Sequence, residues 1–102
     1  MPASEGTLGG KQRRFLRSLG HHLEPVVQVG KQGVTEAVTA AVDDALFRHE
    51  LIKVRCGSEC PQDRDEVAAS LAQALTAEVV QTLGRTLLLY RPDPEHPRIA
   101  VP

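Results

Sequence analysis

The stretch Pro25-Val26-Val27-Gln28-Val29-Gly30-Lys31-Gln32-Gly33 joins a short apolar run to a helix-periodic run that begins near Thr35. The apolar run predicts a buried strand, and two glycines at this spacing let the backbone turn sharply and approach a partner closely. The start of the following helix offers unpaired N–H groups and the positive end of a dipole, which suit a phosphate. Lys31 adds a positive charge at the tip of the turn. The stretch therefore predicts either a phosphate-binding loop or simply a tight strand-to-helix connection.

Length and charge limit the class of protein. A chain of 102 residues predicts one domain with a small core. The formal net charge is only −1, but the charges are segregated, so one surface can still attract a polyanion. No run is apolar enough to span a bilayer and no charged-then-apolar leader opens the chain, so we expect a cytoplasmic protein. The cations fall in two groups, Lys11, Arg13, Arg14 and Arg17 and then Lys31, Arg48, Lys53 and Arg55, whereas the acids lie at Asp43-Asp44, between Glu59 and Glu66, and at Asp93 and Glu95.

Residues that would perform catalysis or bind a metal form no pattern. Cys56 and Cys60 are four apart, and a structural zinc needs four ligands. Cys56 ends a strand-like run, so we predict a reduced, buried core residue there and a loop thiol at Cys60. No Ser/His/Asp order or paired-carboxylate pattern is present. We therefore expect no catalytic residue, no metal site, no cofactor and no enzymatic activity.

Hydrophobic periodicity predicts three helices and four strands. In chain order they are a helix over 11–19, a strand over 25–29, a helix over 35–49, a strand over 51–56, a helix over 63–76, and strands over 79–83 and 86–90. The two-residue link Gly84-Arg85 predicts a hairpin. Strand–helix–strand steps favour parallel pairing, and the hairpin is antiparallel. The sequence therefore predicts an α/β (α+β) fold, a mixed four-stranded sheet with helices packed on it, and leaves the strand order open.

The same periodicities predict which side chains face the core. Ile52, Val54 and Cys56 point to one side of their strand, and Lys53 and Arg55 point to the other. The predicted inward residues of the helices are Phe15, Leu16 and Leu19 in the first, Val38, Ala41, Val42, Ala45 and Leu46 in the second, and Val67, Leu71, Ala74 and Leu75 in the third. Phe47 also lies near an apolar helix face. With Phe15 and Phe47 turned inward, we expect no exposed platform on which bases stack.

Four segments together resemble the YhbY family of stand-alone CRM domains (chloroplast RNA splicing and ribosome maturation). They are residues 11–14, 23–35, 49–54 and 84–92, and the resemblance spans residues 8–92 in one register. It implies an RNA-binding domain similar in fold to the C-terminal domain of bacterial translation initiation factor three. It also implies association with precursors of the large ribosomal subunit. We accordingly predict a disordered segment 1–7, a CRM domain over 8–92 and a Pro-rich tail over 93–102.

The family's G-x-x-G motif falls on Gly30, Lys31, Gln32 and Gly33, which we predict to be a backbone clamp on RNA. Lys11, Arg14, Lys53 and Arg55 are predicted as supporting charges, although outward strand residues are often only solvated. Because few aromatic residues are available, we expect contacts to phosphates, sugars and RNA shape, with structured rRNA as the substrate. The expected partners are pre-large-subunit particles and ribosomal proteins, and the expected oligomeric state is a monomer.

Two other functions stay open from the residues alone. A protein-interaction adaptor in ribosome assembly would have little RNA affinity of its own, and its binding would be insensitive to salt. A small enzyme would use the glycine loop to hold a nucleotide, but the G-K-[ST] sequence and a convergent set of acids, bases or metal ligands are absent.

Overall fold

Seven elements follow one another along residues 8–102, the part of the chain that the computed structural model describes. Their boundaries agree with the predicted ones to within one residue. The predicted disordered segment 1–7 lies outside the described residues. The helices are α1 (Gly10–Gly20), α2 (Glu36–His49) and α3 (Arg64–Leu75), and the strands are β1 (Pro25–Val29), β2 (Leu51–Cys56), β3 (Glu78–Leu83) and β4 (Thr86–Tyr90).

Local side-chain contacts fix where α2 and α3 begin. The Thr35 hydroxyl accepts a hydrogen bond from the N–H of Val38 at 3.1 Å and so caps α2. At the start of α3, the Asp63 carboxylate accepts from the N–H of Glu66 (2.8 Å), and the Glu66 carboxylate accepts from the N–H of Asp63 (3.0 Å). These caps are encoded by residues three apart, which is why the sequence predicts these helix starts well.

The strand order is β1-β2-β4-β3. β1 pairs with β2 in parallel, and β4 pairs antiparallel with both β2 and β3. The predicted mixed four-stranded sheet is therefore confirmed, including the hairpin at Gly84, where φ is +60°. The order of the strands, which the sequence left open, places β2 and β4 in the centre and leaves β1 and β3 at the edges.

The prediction that residues 25–29 form a buried strand is wrong in one respect. The strand exists, but it is an edge strand, and of its five residues only Val29 is buried. Val26 is 51% exposed. An edge strand has a neighbour on one side only, so an apolar run of this length does not guarantee burial.

Apolar side chains cover both faces of the sheet. On one face Ile52, Val54 and Cys56 of β2 pack under α2 and α3, as their alternation predicted. On the other face Leu16 of α1 packs against the sheet in a second cluster, whose buried members are Leu16, Leu51, Val80, Leu88 and Tyr90. Lys53 and Arg55 therefore lie on the face that carries α1.

Four predicted core positions on the helices are exposed instead. Leu19 is 38% exposed and Phe47 is 67% exposed, and Ala41 and Ala74 also face solvent. A helix that rests on a flat sheet buries only a narrow stripe, and residues at the rim of that stripe remain in water. Phe47 follows the buried Leu46 directly, which places it about 100° further around α2, because a helix has 3.6 residues per turn.

The C-terminal tail is fastened to the domain by Glu50, the only charged residue fully buried within residues 8–102. Its carboxylate accepts hydrogen bonds from the N–H groups of Asp93 (2.7 Å), Arg98 (3.0 and 3.2 Å) and Ile99 (3.0 Å). Ile99 then packs against the core cluster under α1. The tail is thus held by polar contacts that sequence periodicity does not reveal.

Burial works to raise the pKa of the Glu50 carboxyl, but the three N–H donors and the charge of Arg98 outweigh it. The pKa of this group therefore lies below its ordinary value, and the carboxylate is charged at neutral pH. Glu50 also adopts φ +67°, a left-handed conformation that costs a non-glycine residue about 1 kcal/mol or more. The bonds to the tail compensate for this strained position.

Candidate nucleic-acid interface

The G-x-x-G segment forms a closed turn between β1 and α2. The N–H of Gly33 donates to the carbonyl oxygen of Gly30 at 3.0 Å. Gly33 is buried and has φ +74°, and a Cβ added there would lie 2.7 Å from Oε1 of Gln62. Gly33 is therefore required by the fold. Gly30 is exposed, has no positive φ, and a Cβ added there would meet no atom within 4 Å.

The turn uses two of its own backbone N–H groups for contacts within the protein. The N–H of Gly33 bonds to Gly30, and the N–H of Val34 donates to Oε1 of Gln62 at 3.0 Å. Within residues 8–102, Lys31 and Gln32 form no hydrogen bond, and both are exposed. The part of the turn open to a ligand is therefore Gly30, Lys31 and Gln32.

The loop over residues 57–62 supports this turn. The N–H of Gly57 donates to the carbonyl oxygen of Val29 at 2.8 Å, and the N–H of Cys60 donates to that of Gly57 at 3.1 Å. Gln62 then reaches Val34. No local pattern in the sequence signals this role, because the residues that meet are about thirty positions apart.

The two cysteines differ in their surroundings. Cys56 is buried in the core, as predicted. Burial is the main reason that the pKa of its thiol is raised, which keeps it protonated. Cys60 lies in the loop between β2 and α3, as predicted, and is half-buried against the same core.

The cations divide into those with partners inside the protein and those without. Arg48, Arg64 and Arg91 form ion pairs, and Arg13 and Arg98 donate to backbone carbonyl oxygens. Arg13 bonds to the carbonyls of Val79 (2.7 Å) and Val80 (3.0 Å) and so anchors α1 on β3. Within the described part of the chain, the remaining cationic side chains form no ion pair or hydrogen bond, and these are Lys11, Arg14, Arg17, Lys31, Lys53, Arg55 and Arg85. All five predicted cationic site residues belong to this second group.

Three of the unpaired cations meet in a groove of about 440 Å³ between α1 and the sheet. Arg14 and Arg17 come from α1, and Lys53 comes from β2. Among the residues that the structure describes, none of those lining the groove is acidic. The structure thus brings together Arg14 and Lys53 of the predicted site and adds Arg17, which was noted in the sequence as part of a basic cluster but was not selected.

The other predicted residues lie outside this groove. Arg55 is exposed two residues beyond Lys53 on the same face of β2, about 7 Å nearer to the end of the strand where the G-x-x-G turn lies. Lys11 is exposed one turn before Arg14 on α1 and does not line the groove. The candidate interface therefore has two parts, the groove and the G-x-x-G turn, with Arg55 between them.

Among residues 8–102, no group of three or more His, Cys, Asp or Glu side chains is placed to hold a metal ion. In the same part of the chain, no helix has the length and apolar character needed to cross a membrane.

Comparison with known proteins identifies relatives over almost the whole chain. A family model described as the CRS1/YhbY (CRM) domain matches residues 8–91, a range that contains every helix and strand. "Probable RNA-binding protein YqeI" of Bacillus subtilis is 43% identical over 95 residues, covering 93% of this chain and 99% of the relative. "RNA-binding protein" of Haemophilus influenzae is 43% identical over 89 residues, covering 87% and 90%. The solution structure of the hypothetical protein SAV1595 from Staphylococcus aureus has a TM-score of 0.78 at 40% identity, covering 93% of this chain and 99% of that one.

Proposed function

The chain belongs to the CRS1/YhbY (CRM) family, as its sequence motifs predicted, and on this premise we propose that it is an RNA-binding protein of ribosome assembly. Its proposed substrate is structured rRNA in precursors of the large ribosomal subunit. It acts by binding, without catalysis, as a monomer in the cytoplasm. The names of the relatives support RNA as the ligand, and the rRNA substrate follows from the resemblance on which the sequence prediction rests.

One observation carries the proposal. Unpaired cations from distant parts of the chain converge on one side of the sheet, in and beside a groove whose lining residues, within 8–102, include no acid. Two arginines elsewhere are paired with acids, Arg48 with Asp44 at 2.9 Å and Arg91 with Asp43 at 2.8 Å. A net charge of −1 therefore conceals a surface that attracts phosphates.

The interface supplies different contacts at its two parts. In the groove, Arg14, Arg17 and Lys53 present charges to the sugar–phosphate backbone. At the turn, Gly30 has no side chain, so the RNA backbone can approach the free N–H groups of Lys31 and Gln32. Phosphate contacts of this kind position the RNA but do not read its sequence. We therefore expect modest sequence specificity from these contacts alone.

The first test measures the salt dependence of binding to an rRNA stem-loop by fluorescence anisotropy. Log affinity is expected to fall linearly with log salt, by about 0.7 to 0.9 for each phosphate neutralised. Arg14→Ala, Lys53→Ala and Lys31→Ala are each expected to make the slope shallower by roughly one contact. Arg48→Ala is the matched control, because it removes the same charge from an exposed side chain that is already paired with Asp44. Equal slopes for all four variants and the wild type would refute the interface.

The second test addresses the proposed substrate. After sedimentation of a cell lysate through a sucrose gradient, the wild-type protein is expected with large-subunit precursor particles. A variant that combines Arg14→Ala, Lys31→Ala and Lys53→Ala is expected in the free fractions at the top. If that triple variant stays with the particles, binding rests on protein contacts, and the adaptor hypothesis replaces the proposal. If the wild-type protein itself remains at the top, the ribosomal assignment is wrong.

A further inference from the structure

Close contacts hold α1 against the sheet and so define the shape of the groove beneath it. Gly20, at the end of α1, is buried, and a Cβ added there would lie 2.5 and 2.7 Å from the two methyl carbons of Leu88. A side chain at this position would therefore force Leu88 or this end of the helix to shift. Arg13 fixes the middle of the helix by its two bonds to carbonyl oxygens of β3. The groove therefore exists before any ligand arrives, which lowers the cost of binding.

The lining of the groove combines two chemical characters. Arg14, Arg17 and Lys53 supply positive charge, whereas Leu83 supplies apolar surface. Leu83 is 67% exposed, so its side chain is accessible to a ligand. His21 lines the groove at the end of α1 and supplies a flat ring. A phosphate alone would need only the cations, and an apolar peptide would gain nothing from them.

A nucleotide has both characters, since it carries a charged phosphate and a flat, largely apolar base. The groove volume of about 440 Å³ lies in the range of roughly 300 to 1,000 Å³ typical of small-molecule sites. A base inside a duplex cannot enter such a groove, because it is stacked between its neighbours. Unpaired nucleotides in loops and bulges can be splayed out and stacked on side chains, histidine included.

We propose that this groove accepts a single unpaired nucleotide of the bound RNA. The base packs against Leu83 and the ring of His21, and the phosphate lies among Arg14, Arg17 and Lys53. This inference rests on the proposed RNA-binding function and specifies its substrate further, as structured RNA with a bulged or looped-out nucleotide. It also revises the expectation that base contacts are absent, which counted only phenylalanine and tyrosine rings.

The experiment compares three RNA hairpins that share one stem: a fully paired stem, the same stem with a single bulged uridine, and that bulge with its base removed to leave an abasic site. Wild-type protein is expected to bind the uridine bulge about tenfold more tightly than the other two, the usual size of one base contact. The abasic RNA keeps the phosphate and the flexible backbone, so it isolates the base without altering the protein.

Two protein variants locate the contact. His21→Ala combined with Leu83→Ser alters two exposed side chains without removing a lysine or arginine. It is expected to reduce the preference for the bulge to less than about twofold while leaving the salt slope unchanged. Lys31→Ala is expected to weaken binding to all three hairpins and to keep the preference. Circular dichroism and urea unfolding verify that both variants are folded.

Each outcome decides between the two proposals. If the wild type binds the paired and bulged stems equally, the nucleotide groove is refuted and RNA binding stands. Equal affinity for the uridine and abasic bulges refutes the base contact and leaves only backbone binding. A preference that persists in the His21 and Leu83 variant places the base elsewhere and also refutes the groove. If none of the hairpins is bound, the proposed function itself fails.

Discussion

Replacing the buried Glu50 is predicted to release the C-terminal tail and to destabilise the domain. Its carboxylate accepts from three backbone N–H groups at distances between 2.7 and 3.2 Å. Glu50→Ala leaves these three donors without an acceptor, and each unsatisfied buried donor costs about 1 to 3 kcal/mol of folding stability. Because the detached tail regains hydrogen bonds to water, we take the lower value and expect a loss of about 3 kcal/mol at pH 7. Glu50→Gln keeps one acceptor oxygen and is expected to lose about half as much.

The measurement is urea unfolding at 25 °C, followed by far-UV circular dichroism and by the fluorescence of Tyr90, which lies in the core cluster under α1. Glu95→Ala is the matched control, since it removes the same charge from an exposed tail residue whose carboxylate forms no ion pair within residues 8–102. We expect that control to stay within about 0.5 kcal/mol of the wild type. If Glu50→Ala lowers the free energy of unfolding by less than about 0.5 kcal/mol, this carboxylate does not hold the tail.

The same comparison has a defined dependence on pH. The pKa of Glu50 is lowered in the folded protein, so between the folded and unfolded values the unfolded chain binds more protons, and stability rises with pH. This contribution is complete above the unfolded pKa, about 4.3, and is lost as the pH falls through the lower folded value. The stability gap between wild type and Glu50→Gln is therefore expected to be constant from pH 7 to about pH 5 and to shrink below pH 4. A gap that stays constant into strong acid would show that the carboxylate charge is irrelevant.

Three further substitutions test individual contacts by urea unfolding. Gly33→Ala is expected to lower the free energy of unfolding by about 1 to 3 kcal/mol, because φ is +74° and the new Cβ meets Gln62. Gly30→Ala, its control, is expected to change the free energy of unfolding by less than about 0.5 kcal/mol. Equal effects would show that the turn is not constrained as described. Gly20→Ala is expected to lower the free energy of unfolding by about 1 to 3 kcal/mol, because the new methyl group overlaps Leu88. The double variant Gly20→Ala, Leu88→Ala is expected to lose less stability than the two single variants lose together. Strict additivity would exclude the contact. Gln62→Ala is expected to lower the free energy of unfolding by about 1 kcal/mol and to speed hydrogen exchange at the Val34 amide, because that amide loses its acceptor. Gln62→Glu keeps an acceptor oxygen and is expected to keep the slow exchange. Fast exchange in the wild type would contradict the hydrogen bond.

Several features of the candidate interface were predicted from local sequence alone. The G-x-x-G turn lies between the predicted strand and helix, and Lys53 and Arg55 share the face that the alternation of β2 assigned to them. These predictions succeeded because a strand repeats every two residues and a glycine turn is encoded within four. Which cations remain free was not predictable. Arg13 and Arg14 are neighbours in sequence, yet Arg13 is bound to carbonyl oxygens of β3 and Arg14 lines the groove.

The sequence by itself determined the seven elements and the family, because helix caps, hydrophobic periods and turn glycines act within a few residues of one another. Only the tertiary structure decided the strand order, the edge position of β1 and the burial of Glu50. It also decided that Gly20 meets Leu88 and that Gln62 meets Gly33. Each of these depends on contacts between residues far apart in the chain, and no local pattern specifies which distant partner a side chain will meet.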